Sequence, residues 1–134
     1  YIKSLGVDPE LVEIKTGDVF KEIPKGAKAI VMKHFISAWN DVDAKKILAN
    51  CKAALPENGR LILLQSFVPD LDEPKIEADG IMPGIFAVQI NVATSGGGWR
   101  TAKQFQELFE QSGFKLEKTI RTSNSLSAME YSLQ

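Results

Sequence analysis

Residues 29–48 read AIVMKHFISAWNDVDAKKIL, and this stretch decides the fold. The run Ala29-Ile30-Val31-Met32 is too short for a helix and rich in β-branched residues, so it reads as a buried strand. A polar turn with Trp39, Asn40 and Asp41 follows, and Asn40 or Asp41 can accept the amide hydrogens that open the next helix. That helix, from about Asp41 to Leu55, places Ile47, Leu48, Cys51 and Leu55 on one stripe. Lys45, Lys46, Asn50 and Lys52 fall on its outer face. Strand, turn, helix is the unit of a parallel α/β sheet, whose ligands sit outside the carboxyl ends of the strands. Residues 33–39 are therefore the first place to expect chemistry.

Upstream, Tyr1 to Gly6 reads as the end of a helix, with Gly6 as its C-terminal stop. Leu11 to Ile14 alternates as a short strand ending in the turn Thr16-Gly17-Asp18, and residues 21–28 form a polar loop. Downstream, Pro56-Glu57-Asn58-Gly59 ends the helix, and Arg60 to Leu64 is a second apolar run, a strand buried on both faces. Residues 68–76 are a proline-containing loop, and Ile81 to Val92, apolar nearly all round, reads as a buried helix or a segment lying under another subunit. After the turn Ser95-Gly96-Gly97-Gly98, Thr101 and Gln104 fit a capping box for a helix burying Phe105, Leu108 and Phe109 and ending at Gly113. Residues 115–120 and 127–133 alternate and would pair as an antiparallel hairpin. The fold class is α/β, with an antiparallel pair at its end.

At 134 residues the chain is long enough for one domain with a real core. Sixteen basic against seventeen acidic residues leave a net charge of -1, which carries no electrostatic footprint for nucleic acid. No apolar run approaches the roughly 18–20 residues needed to span a bilayer. The single Cys51 excludes an internal disulfide and suits a reducing compartment, so a cytoplasmic location is expected. One histidine in the chain, His34, argues against a zinc site. Tyr1 is no initiator methionine, which points to a cut chain or a piece of something longer.

Four landmarks, taken in order, resemble one family. They are Gly17-Asp18-Val19-Phe20, then Lys33 through Trp39-Asn40-Asp41, then Pro56 through Gly59-Arg60-Leu61 into Gln65, and Gly96 through Arg100-Thr101. With the closing Ser112-Gly113-Phe114, the chain resembles the C-terminal part of the catalytic domain of S-adenosylmethionine-dependent O-methyltransferases of the plant and hydroxyindole type. The resemblance implies a Rossmann-like class I methyltransferase sheet with an antiparallel C-terminal hairpin. It also implies S-adenosylmethionine as cofactor and a hydroxyl of a small aromatic or polyketide-like molecule as acceptor. By that resemblance Asp18 accepts a hydrogen bond from the adenine amino group while Val19 packs on the ring. Lys33 lies against the adenosine, and Trp39 walls the cofactor pocket.

The departures fall on the family's general base and its partners. The family's histidine, two residues before the tryptophan, is here Ser37, and its two acidic partners are Gln65 and Trp99. A serine hydroxyl is no base near neutral pH without a base of its own. His34 would share a face with Ser37 if the turn were helical, which makes it a relocated-base candidate. Otherwise transfer proceeds by proximity, and an acidic phenol or a carboxylate needs no protein base. The glycine-rich loop and the ribose-binding acid of the family do not occur in this sequence. Two strands of the family's sheet are thus expected to be missing beside the Ala29 strand, to be completed by an N-terminal segment, a second copy in a homodimer, or rearrangement. Two other readings stand beside this one. One is a catalytically degenerate methyltransferase fold used for binding or assembly. The other, a dinucleotide-binding domain, is disfavoured because no glycine fingerprint follows a strand.

Overall fold

The strands of the computed structural model are β1 (Ala29–Lys33), β2 (Arg60–Gln65), β3 (Phe114–Arg121) and β4 (Ser127–Leu133). The helices are α1 (Asp41–Ala54) and α2 (Ala102–Gln111). The structure describes residues 6, 8–67, 94, 96–98, 100–122 and 126–134. The helix expected at Ile81 to Val92, the loop at 68–76 and the segment from Tyr1 to Leu5 lie outside them, and so does Trp99.

One mixed sheet runs in the order β1-β2-β4-β3. β1 and β2 are parallel, with Ile30 opposite Leu61 and Met32 opposite Leu63. β4 enters antiparallel to β2, setting Leu61 against Tyr131 and Leu63 against Met129. The β3–β4 hairpin forms as its alternation predicts, with one irregularity between Leu116 and Lys118. Because side chains alternate along a strand, this register gathers Met32, Leu61, Leu63, Met129 and Tyr131 on one face. Both helices pack there. α1 contributes Ala44, Ile47, Leu48 and Cys51, and α2 contributes Phe105, Leu108 and Phe109. Phe109 stacks on Tyr131 with ring centroids 4.4 Å apart, and Phe114 closes the end of the cluster.

Local chemistry sets the element ends. Asn40 is the N-cap of α1, its Oδ1 accepting from the Asp43 amide at 2.9 Å. Thr101 and Gln104 make the expected capping box at α2. Gly113, at φ 84°, ends α2 with its N–H donating to the Glu110 carbonyl.

Three expectations are corrected. Leu11 to Ile14 is not a strand: a single 3-10 turn spans Pro9–Leu11, and Leu11 and Ile14 are exposed. A strand there needs a neighbour to take its hydrogen bonds, and none lies beside it among the described residues. β1 is not buried on both faces: Met32 lies under the helices, but Val31 on the opposite face is 58% exposed. β2 buries Leu61 and Leu63 fully but Ile62 and Leu64 only in part, because both described helices lie on the first face.

The family's two further strands have no counterpart beside β1 among the described residues, so its outer edge is open. No described helix is long and apolar enough to cross a membrane.

Candidate active site

The carboxyl end of β1 turns abruptly. His34 has φ 48°, in the left-handed region, and its N–H still donates to the Leu64 carbonyl at 3.1 Å. A one-turn 3-10 helix, Ile36–Ala38, follows and buries Ile36 and Ser37. Extended Trp39 then leads into the cap at Asn40. The backbone reversal at His34 leaves its side chain exposed while Ser37 is fully buried, so the two do not share a face. Partial burial, and then the charge of Lys33, hold the His34 imidazole below its ordinary 6.5.

Asp18 organises the turn on the other side. Its Oδ1 accepts from the Phe20 amide at 3.0 Å, and its carbonyl accepts from the amides of Lys21 and Glu22. Asn50 of α1 donates to the Val19 carbonyl at 2.7 Å, which ties this turn to the helix. Asn50 was expected on the outer face of α1; it is part-buried because its carboxamide reaches that carbonyl. Phe20 meets the Trp39 ring edge-on at 4.7 Å, and Phe35 meets it at 6.2 Å. A groove of about 450 Å³ runs along the outer edge of β1, and Gly17, Val19, Val31, Lys33 and Phe35 are among its walls. The structure thus brings Val19 and Lys33 together in this groove, while Asp18 is exposed and is not among its walls. Trp39 packs behind this wall rather than lining it.

At the positions of the expected base constellation, Ser37 and Gln65 are both fully buried. Alternation places Gln65 on the same face as Leu61 and Leu63, one residue beyond the Lys33–Leu64 pair. Its Nε2 donates to the Ser66 carbonyl at 3.2 Å. Among the described residues, Ser37 Oγ, Gln65 Oε1 and the buried Trp39 Nε1 have no hydrogen-bond partner. No described group of three or more acidic, histidine or cysteine side chains could hold a metal ion.

Arg100 is a site residue that the sequence reading passed over. It reaches the turn after β1 with Nη2 donating to the Trp39 carbonyl at 2.9 Å and to Asp41 Oδ1 at 2.6 Å. Nη1 donates to the Gly98 carbonyl at 3.3 Å, and the guanidinium lies 5.7 Å from the Phe105 ring centroid. Gly98 in turn donates its N–H to the Ser37 carbonyl at 3.0 Å. The two loops are stitched together around Ser37. The available signal was an arginine between a glycine run and a capping box, which has to satisfy the carbonyls that both loops leave over.

The described residues thus form a mixed α/β sheet with a groove beside β1 and two buried polar side chains, Ser37 and Gln65, near the ends of β1 and β2. The family model for the O-methyltransferase domain matches residues 4–115, and the chain belongs to that family. It is 36% identical over 104 residues to an anthranilate N-methyltransferase of Ruta graveolens, covering 78% of this chain and 28% of that one. It is 34% identical over 113 residues to a myricetin 3'-O-methyltransferase of Solanum lycopersicum, covering 83% of this chain and 30% of the relative. Among solved structures it superposes on LaPhzM with a TM-score of 0.86 at 28% identity, over 99% of this chain and 38% of that one. It also resembles CalO1, a methyltransferase in calicheamicin biosynthesis solved with SAH bound, with a TM-score of 0.75 at 25% identity over 91% of this chain and 34% of that one. The chain therefore spans about a third of the length of these relatives.

Proposed function

We propose that residues 1–134 are part of a methyltransferase catalytic domain that acts on a hydroxyl of a small aromatic or polyketide-like molecule by proximity, without a histidine base. The observation that carries this reading is the shared groove of Gly17, Val19 and Lys33 at the end of β1, in a chain of the O-methyltransferase family. S-adenosylmethionine, when bound, supplies the methyl group from its sulfonium. Asp18 accepts the adenine amino hydrogen, Val19 packs on the ring, Lys33 lies along the adenosine, and Trp39 stiffens the wall from behind. Ser37 and Gln65 hold the acceptor in line, and in sequence Trp99 replaces the third member of the base set. No side chain takes the acceptor proton, which leaves to solvent. Orientation of bound reactants alone can supply about 7–11 kcal/mol of barrier lowering.

The test is transfer of labelled methyl from S-adenosylmethionine into extractable product over a panel of hydroxyaromatics. The proximity reading expects transfer that survives His34→Asn. A loss of several hundredfold in that variant would make His34 the base and refute it. The replaced base set also favours a second reading, a binding or assembly role. Cofactor binding with no transfer to any acceptor would support it.

A further inference from the structure

Pro56-Glu57-Asn58-Gly59 joins α1 to β2 at the end of the parallel pair opposite Lys33 and Gln65. Asn58 is the chain's only asparagine followed by glycine. An asparagine carboxamide is open to attack by the backbone nitrogen of the next residue, and a glycine there, with no Cβ, allows the closest approach. Asn58 is exposed, and its carboxamide makes no hydrogen bond among the described residues, so it can turn toward that nitrogen. Asn40 and Asn50 differ, because Asp43 holds the first carboxamide and the Val19 carbonyl holds the second. Two features of the turn bear on the reaction. The Gly59 N–H donates to the Pro56 carbonyl at 2.8 Å, which occupies the attacking nitrogen until the turn opens. Arg60 Nη1 donates to the Asn58 and Gly59 carbonyls, each at 3.1 Å. Glu130 steadies that guanidinium, with Oε1 3.3 Å from Arg60 Nε.

We propose that Asn58 is a site of spontaneous deamidation and that Arg60 steers the product to isoaspartate. When the turn opens, the Gly59 nitrogen gives up its proton and bonds to Asn58 Cγ. The Cγ–Nδ2 bond breaks, and ammonia leaves with that proton. The cyclic imide so formed joins the Gly59 nitrogen to both Asn58 carbonyl carbons, Cγ and the main-chain carbon. Water then adds to one of them and its bond to the nitrogen breaks. The nitrogen takes one proton of the water, and the new carboxyl group releases the other. Opening at Cγ gives aspartate. Opening at the main-chain carbon gives isoaspartate, with the chain continuing through Cγ. Arg60 donates to the main-chain carbonyl oxygen, so it polarises the carbon whose attack gives isoaspartate. That oxygen then belongs to the new carboxylate, and a charge-assisted pair replaces a neutral acceptor. Isoaspartate lengthens the backbone at the entrance to β2, where the Arg60 N–H donates to the Lys28 carbonyl at 3.0 Å.

The experiment is incubation of the full chain at mildly alkaline pH, followed by peptide mapping by mass spectrometry with isoaspartate and aspartate peptides separated by chromatography. The same chain unfolded in guanidinium chloride is the reference. Asn58 is expected to convert before any other asparagine of the folded chain. It should do so about 2–10-fold more slowly than in the unfolded chain, because the bond from Gly59 to Pro56 has to open first. The ratio of isoaspartate to aspartate should be about twofold or more higher in the folded chain, and Arg60→Gln should return it to the unfolded value. Asn58→Gln, whose longer side chain cannot close the same ring, should abolish the signal. Another asparagine converting first in the folded chain, or Asn58 staying intact there while the unfolded chain converts, would overturn the site. Equal product ratios in the folded and unfolded parent would overturn the role of Arg60, and that comparison decides the matter if Arg60→Gln does not fold.

Discussion

Gly97 sits where two loops touch backbone to backbone. A Cβ built there falls 2.5 Å from the Ala38 carbonyl oxygen and 2.6 Å from its carbon, with the Thr94 hydroxyl also in the way. Ala38 cannot rotate out of that contact, so Gly97→Ala must displace the turn carrying Ser37 or the loop that holds it. Overpacking of this kind costs about 1–3 kcal/mol. Shifting the loop also endangers the 3.0 Å bond from Gly98 N–H to the Ser37 carbonyl, worth about 1 kcal/mol net. The stiffer unfolded chain returns about 0.4–1 kcal/mol. The expected net destabilisation is thus about 1–3.5 kcal/mol, read from urea unfolding at unchanged m. Gly17→Ala is the control, since its Cβ would meet nothing within 4 Å. It should stay within about 0.5 kcal/mol of the parent or gain slightly. A Gly97→Ala chain as stable as the control would refute the close approach of these loops.

Other expectations follow from the same contacts. Arg100→Met should cost about 1.5–3 kcal/mol in urea unfolding, because the Trp39 and Gly98 carbonyls lose a charged donor. Arg100→Lys should recover less than half of that, since one ammonium cannot span the guanidinium's acceptors. His34 titrates below its ordinary 6.5 when folded, so the unfolded chain binds the proton first. Its contribution is complete above 6.5 and is lost as pH falls through its lower folded value, and a pH series of melts should be flatter below neutrality in His34→Asn. Asp43, Glu117 and Glu130 are each held below their ordinary values, first by hydrogen bonds from Lys46, Ser132 and Lys118 respectively. Their contributions are lost only at more acidic pH, separate from the His34 window. Burial pushes the Cys51 thiol up to about 12, so a thiol-specific disulfide reagent should label the chain only under unfolding conditions.

Much of the fold was legible because it is written in local pattern. The β-branched run at β1, the alternation of β3 and β4, the Asn40 cap and the Thr101–Gln104 box each depend on residues close in sequence. What escaped depends on neighbours the sequence does not announce. Leu11 to Ile14 has strand composition, yet a strand needs a partner, and none lies beside it among the described residues. Val31 is apolar enough for a core and is exposed because it points to the sheet face opposite Met32, which neither described helix covers. In the site, Val19 and Lys33 were found from motif order and do meet in one groove. Asn50 and Arg100 were missed because their work is to satisfy carbonyls 31 and 61 residues away. Family resemblance marked Ser37 and Gln65 as substitutions, but only the fold shows that their polar atoms are buried without partners among the described residues.

Calorimetric titration of the full chain with S-adenosylhomocysteine, set beside Asp18→Ala, tests the proposed cofactor role of the groove beside β1 most directly. The account predicts saturable binding that weakens about tenfold or more when the Asp18 carboxylate is removed. A folded chain that binds nothing, or binds equally well without that carboxylate, would contradict it.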